Sequence, residues 1–291
     1  MDNKFAFLDS WNGLSDQDRA YYMMSMSGDE PYNLKEDSLN QDGVPEGTIK
    51  KYHMPDCKTY PGVARDYWVY IPHQYKEATR VGLIIYLDGY DYISNCNANF
   101  VMDNLIYKNE MPVCIGVFVG PGDKGPGYPI YGGTDNRSIE YDSIDEVFGR
   151  FLIDDLIPKL KEEYTFSDDP DDHMIVGMSS GGNAAFAAAW NWPDTFRKVI
   201  SHSGSFTNLR GGYKMPTLIR SSEKKPIKMW FCTGEKDLDT VFGSWKSANE
   251  YMATSLAYKG YEYKFCEGVG GHTYLFGGML LPDAMRWMWR E

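Results

Sequence analysis

One stretch, Met174-Ile175-Val176-Gly177-Met178-Ser179-Ser180-Gly181-Gly182-Asn183-Ala184-Ala185, constrains the fold of this chain more than any other. An apolar run leads into it, small residues surround a serine, and an Ala-rich segment continues to about Trp190. The first part has the composition of a buried strand and the last that of a helix, so the small residues must form a sharp turn between the two. Bulky neighbours would collide with strand or helix at such a turn, which holds the Ser179 hydroxyl outward on a strained backbone. The N–H groups that open the next helix lack intrahelical partners, and together with the helix dipole they favour a negative oxygen there.

The remainder of the chain repeats the strand-then-helix theme. Thr48 to Met54 and Asp66 to Ile71 alternate as an antiparallel pair, while Leu83 to Leu87 and Val113 to Val119 read as buried strands. Further strands are expected at His173 to Val176, Lys198 to Ser201, Ile227 to Cys232 and Glu262 to Glu267. Helices are expected near Ala98 to Tyr107, Ile144 to Tyr164, Trp245 to Tyr258 and from about Pro282. Residues 1–45 read as an irregular, partly helical lead-in, Gly120 to Gly133 as a long loop, and Phe206 to Lys225 as irregular. The pattern predicts a single α/β domain over residues 46–291, with a mostly parallel central sheet, helices on both faces and an antiparallel N-terminal edge. No linker or internal repeat divides it.

At 43% hydrophobic residues the chain can build a large core without metal or disulfide. Its five cysteines, Cys57, Cys96, Cys114, Cys232 and Cys266, lack metal-type spacing and read as buried free thiols. Scattered acidic residues give a net charge of −12, which argues against nucleic acid as a partner. No apolar run is long enough to span a bilayer, and the start lacks the blocks of a secretory signal, so a cytoplasmic location is expected.

A serine hydroxyl needs a base to take its proton and a carboxylate to orient that base. In the α/β-hydrolase fold, to which the strand–turn–helix segment points, these follow the serine in the order acid, then histidine. His53, His73 and His173 precede Ser179, and His202 comes too early to follow an acid on a later strand. His272, in the glycine loop Gly268-Val269-Gly270-Gly271-His272, fits the order. The acid belongs after the strand ending near Cys232, where Glu235, Asp237 and Asp239 all qualify by spacing. The backbone N–H of Tyr90, in Asp88-Gly89-Tyr90-Asp91, is expected to join that of Ser180 as an oxyanion donor. Tyr90, Tyr92, Tyr128, Tyr131, Phe206 and Tyr274 fall in expected loops at the mouth of the site, where they are candidates to contact substrate. Arg137 and Glu140 read either as substrate-orienting groups or as an ion pair behind the turn.

The run Leu83 to Tyr90, the segment Arg137-Ser138-Ile139-Glu140-Tyr141, the elbow itself, Ser203-Gly204-Ser205-Phe206 and Gly270-Gly271-His272 resemble the esterase D / enterochelin esterase-like family of α/β-hydrolases. The resemblance spans roughly residues 45–290. That family includes siderophore trilactone esterases, feruloyl esterases and mycolyl-type acyltransferases. The resemblance implies Asp237 as the acid, three residues beyond Gly234. It also implies a serine ester hydrolase that needs no cofactor or metal and acts on a small-molecule or oligosaccharide ester such as a feruloyl or acetyl ester. A siderophore esterase, an acyltransferase on the same triad and an inactive binding protein of the same fold are the alternatives. About 45 residues of lead-in are too few for the separate N-terminal domain of enterochelin esterases, and a charge of −12 suits an anionic iron-siderophore poorly.

Overall fold

The computed structural model describes residues 32–124 and 136–290. Among them, eight strands form one sheet: β1 (Thr48–Met54), β2 (Arg65–Ile71), β3 (Gly82–Leu87), β4 (Cys114–Val119), β5 (His173–Met178), β6 (Lys198–His202), β7 (Lys228–Gly234) and β10 (Glu262–Gly268). Two-residue strands β8 (Asp239–Thr240) and β9 (Gly243–Ser244) make a separate small hairpin. The sheet order is β1-β2-β4-β3-β5-β6-β7-β10. β1 pairs antiparallel with β2 and β2 with β4, and every later pairing is parallel. The expected antiparallel edge and parallel body are therefore both present.

Side chains on a strand alternate between faces, so a sheet covered on both sides must be apolar at successive positions. β3 shows why: Leu83, Ile85 and Leu87 enter the core on one face, and Ile84 and Tyr86 enter the core on the other. Helices α1 (Gly89–Cys96), α2 (Ala98–Tyr107) and the terminal α9 (Tyr274–Trp289) cover the second face. The first is covered by α4 (Val147–Phe151) and its continuation, by α6 (Ser180–Asn191), and by α7 (Met215–Ser221) and α8 (Trp245–Tyr258). The short α3 (Arg137–Tyr141) packs beside α6.

Four helical segments differ from expectation. The long helix is interrupted by a π-helical turn, Leu152–Leu156, before it resumes as α5 (Ile157–Lys161). Pro158 stands at the start of α5 and cannot donate to the preceding turn, and the π turn absorbs the resulting shift in register. α1 and α7 fall in stretches expected to be irregular, and α9 starts at Tyr274 with Pro282 inside it.

Of the expected lead-in, residues 32–45 are described. The Asn104 amide donates to the carbonyls of Asp37 and Leu39 and the Asn97 amide to that of Ser38, which ties this segment to α2. Cys57, Cys96, Cys114 and Cys232 are buried free thiols, and Cys266 is half-buried. No helix among the described residues is long and apolar enough to cross a membrane.

Candidate active site

The chain enters the parallel sheet at β3, adds β4 on one side and then β5 on the other. Where strand order reverses in this way, the loops at the carboxyl ends diverge and leave a crevice. Ser179 follows β5 at that crevice, and Asp88 follows its neighbour β3. Three residues that directly follow neighbouring strands, Asp88, Ser179 and Ser203, share a positive φ (53°, 57° and 48°). Such conformations cost on the order of 1–3 kcal/mol each in non-glycine residues and cluster at functional sites.

Ser179 has φ 57° and ψ −123°, and the helix α6 begins at the next residue. Its N–H donates to His202 O at 2.9 Å, while its carbonyl accepts from Ser205 N at 2.9 Å. The turn is thereby tied to the end of β6. Gly177 is required by close approach: a Cβ there would lie 2.2 Å from Gly181 O, across the turn.

Asp237 and His272 are brought together. His272 Nδ1 lies 2.6 Å from Asp237 Oδ1, and both side chains are buried. The two loops that carry them are joined through backbone bonds, Glu235 N to Gly268 O at 2.7 Å and Lys236 N to Gly270 O at 3.0 Å. This crossing turns Glu235 outward, and Asp239 is also exposed, so of the three acids that spacing allowed, Asp237 meets the histidine. Asp237 also accepts from Thr233 Oγ1 at 2.7 Å and from Leu238 N at 2.8 Å. Burial would raise its carboxyl, but the His272 charge and these hydrogen bonds outweigh burial and hold it below its ordinary value. His202 has a different environment: full burial pushes it down to about 3, and Tyr92 OH lies 3.0 Å from its Nδ1. It is a neutral core histidine.

Sequence reasoning missed Trp245 and the role of Ser205. Ser205 Oγ is 3.2 Å from Ser179 Oγ and accepts from Trp245 Nε1 at 3.1 Å. The Trp245 ring also meets the His272 ring edge-on at 5.9 Å. Tyr32 was missed as well: its hydroxyl accepts from Gly270 N at 3.0 Å, two residues before His272.

The two expected oxyanion donors lie at helix starts. Ser180 opens α6, and Tyr90 is in the first turn of α1, where helix geometry leaves N–H groups unpaired. A Cβ on Gly181 would come 3.3 Å from Asp88 Oδ2, so the two turns are close neighbours. Charges brace the region from behind. Arg137 holds Asp88 in a bidentate pair at 2.8 and 2.7 Å, and Arg65 holds Glu140 at 2.9 and 3.0 Å with both side chains fully buried. Asp142 is buried behind Ser180; burial raises its carboxyl, against hydrogen bonds from Ser180 and Ser138 and the charge of Arg137.

A family profile described as Putative esterase matches residues 60–276. The chain belongs to that esterase family. An iron(III) enterobactin esterase of Dickeya dadantii is 25% identical over 239 residues, covering 77% of this chain and 51% of that protein. The chain thus spans about half the length of the curated relative. An uncharacterized Bacillus subtilis protein, YjcH, is 22% identical over 76% of this chain and 89% of its own length. Among solved structures, the Shigella flexneri enterobactin esterase in the presence of enterobactin has a TM-score of 0.70 at 20% identity, covering 84% of this chain and 60% of that one. A CE1 ferulic acid esterase from the anaerobic fungus Anaeromyces mucronatus has a TM-score of 0.68 at 19% identity, covering 88% and 97%. These similarities establish the α/β-hydrolase fold.

Within this esterase-family fold, the candidate substrate-contact residues divide. Tyr90 is 59% exposed and its ring lies against Trp68 at 5.4 Å. Tyr274 is half-buried at the start of α9 and packs edge-on against Tyr92. Phe206 and Tyr92 are buried, contrary to an open loop position, because Phe206 packs on Phe186 of α6 and Tyr92 faces inward from α1 onto His202. Arg137 and Glu140 do not pair with each other as the sequence suggested: Arg137 is paired with Asp88 and Glu140 with Arg65, both in buried ion pairs. Tyr128 and Tyr131 lie outside the described residues.

Proposed function

We propose that this protein hydrolyses carboxylic esters through an acyl-enzyme on Ser179, with phenolic or carbohydrate esters as its substrates. The observation that carries the reading is the buried 2.6 Å contact between Asp237 and His272, on the same sheet edge as the strained Ser179. With Nδ1 engaged by the carboxylate, the other ring nitrogen of His272 is the one left to accept the Ser179 proton. Ser179 Oγ then attacks the ester carbonyl, and the N–H groups of Tyr90 and Ser180 receive the negative oxygen. Loss of one such donor typically costs about 3–4 kcal/mol of transition-state stabilisation. His272 returns the proton to the leaving alcohol, and a water molecule repeats the sequence to release the acid.

Two surfaces support the substrate class. Tyr90 and Trp68 offer a partly exposed aromatic shelf beside the oxyanion turn, suited to stacking on a phenolic ring. Beyond Ser205, a cleft of about 580 Å³ is lined by uncharged residues that include Tyr213, Phe242, Tyr251, Asn208 and Ser247. Aromatic faces mixed with amide and hydroxyl groups match the apolar faces and hydroxyls of a sugar. The solved relatives include one structure with ferulic acid and one with 2,3-dihydroxy-N-benzoyl-serine, both of which carry hydroxylated aromatic rings.

The test is turnover of p-nitrophenyl acetate, methyl ferulate, an acetylated xylo-oligosaccharide and a catecholate trilactone, with Ser179→Ala as control. The proposal expects hydrolysis of the ferulate or the acetylated sugar, abolished by the substitution. Preferential cleavage of the trilactone would move the substrate class to siderophores. Transfer to added alcohols that outpaces hydrolysis would make the protein an acyltransferase, and absence of any turnover would remove the enzymatic reading.

A further inference from the structure

We infer that Ser205 and Trp245 form a positioning bridge that aims the Ser179 hydroxyl at His272. The inference rests on the esterase reading above and assigns roles to two residues outside the Ser, Asp and His set. Both are buried, with Ser205 wholly enclosed and Trp245 2% exposed.

The donor and acceptor count decides what the bridge does. An indole N–H can only donate, so Trp245 Nε1 donates to Ser205 Oγ over 3.1 Å and fills one of its two acceptor sites. Ser205 keeps one hydrogen and one remaining acceptor site, and Ser179 Oγ stands 3.2 Å away. Two arrangements follow. If Ser179 donates to Ser205, its proton faces away from the imidazole and the nucleophile is parked. If Ser205 donates to Ser179, the Ser179 proton is free to face His272, and the nucleophile is armed. The indole already occupies one acceptor site on Ser205 and so favours the second arrangement.

Trp245 also ties this choice to the acid loop. Its backbone N–H donates to Leu238 O at 2.8 Å, one residue beyond Asp237, and its ring lies edge-on to His272. Asn249, one turn along α8, donates to Gly204 O at 2.9 Å and fixes the loop that carries Ser205. Nucleophile, base and acid therefore all contact one tryptophan directly or through one intervening group. No proton is transferred along the bridge; the Ser179 proton still goes to His272.

The experiment is a double-substitution cycle on hydrolysis of p-nitrophenyl acetate, with Ser205→Ala, Trp245→Phe and the pair, each checked for an intact thermal transition. Trp245→Phe removes the N–H and keeps a smaller aromatic ring in the same buried position, so the thermal transition also reports the packing lost with the indole. The bridge predicts that Ser205→Ala lowers kcat by about tenfold with KM within about twofold, the size of one lost hydrogen bond in the reacting state. It predicts a smaller loss for Trp245→Phe, and a double variant no slower than Ser205→Ala alone. A merely structural role would leave kcat per folded molecule unchanged or make the two losses multiply, and either result overturns the bridge while wild-type turnover preserves the esterase reading. A wild-type protein without turnover would overturn both.

Discussion

Two groups of contacts close on Ser179 from opposite sides, and they are made of different chemistry. Toward β3, the braces are ionic: Arg137 with Asp88, and Arg65 with Glu140, the latter pair fully buried. Toward β7, apart from the Asp237 carboxylate, the contacts are hydroxyls, an indole and an imidazole joined by hydrogen bonds. Buried charges that have lost their hydration are held rigidly by their partners, because separating them leaves an uncompensated ion. Hydroxyl and imidazole groups can exchange donor and acceptor roles at little cost. The first side is thus suited to hold the backbone that presents Tyr90, and the second to move a proton.

This contrast is broken most severely on the neutral side. Replacing Ser179 with Ala is expected to lower kcat/KM by a factor on the order of 10⁴ or more, and Asp237→Asn by about 10⁴ through the wrong imidazole tautomer. Steady-state kinetics on the best ester would show both, and urea unfolding of Ser179→Ala would show little change. The ionic side should respond the opposite way. Glu140→Gln strands the Arg65 guanidinium in the core and is expected to cost about 3–5 kcal/mol of stability in urea titrations. The molecules that remain folded should keep kcat within a few fold.

Acid titration sharpens the comparison through His202 and Asp237. The His202 ring is pushed down to about 3 by burial, below its ordinary 6.5, so the unfolded chain binds this proton first as pH falls. Stability should therefore decline below pH 6.5, by up to about 1.4 kcal/mol per pH unit from this group, until the folded ring titrates near pH 3. Asp237, held below its ordinary 3.8, contributes stability above that value and loses it only as pH falls further, through the folded pKa. Unfolding free energies from pH 7 to 3 should show the first slope in the wild type, and His202→Gln should flatten it. The smallest effect is at the rim: Tyr90→Ala should raise KM for methyl ferulate a few fold and leave that for p-nitrophenyl acetate nearly unchanged, since only the former has a ring to stack.

Strands and the elbow were legible in the sequence because each is a local pattern. Buried runs such as Leu83 to Leu87 and the small residues around Ser179 declare themselves without reference to the rest of the chain. Helix α9 was misread at its start because Gly277, Gly278 and Pro282 look like breakers. In the fold, Gly277 permits close packing: a Cβ there would lie 2.4 Å from the His202 ring. Helix α1 was read as a loop because Asp88-Gly89-Tyr90-Asp91 has turn composition, and its helical state depends on packing beneath the sheet edge. Spacing could not choose among Glu235, Asp237 and Asp239, since the choice is made where two loops cross. Trp245 was invisible for the same reason, as its partners Ser205 and His272 come from distant parts of the chain.

The central claim is that Ser179 is a nucleophile activated by His272. Its most direct test is to treat the protein with a fluorophosphonate and map the adduct by peptide mass spectrometry. The account predicts one phosphonylated peptide, bearing Ser179, absent in Ser179→Ala and formed far more slowly in His272→Ala. No adduct, or one formed at the same rate without His272, would contradict it.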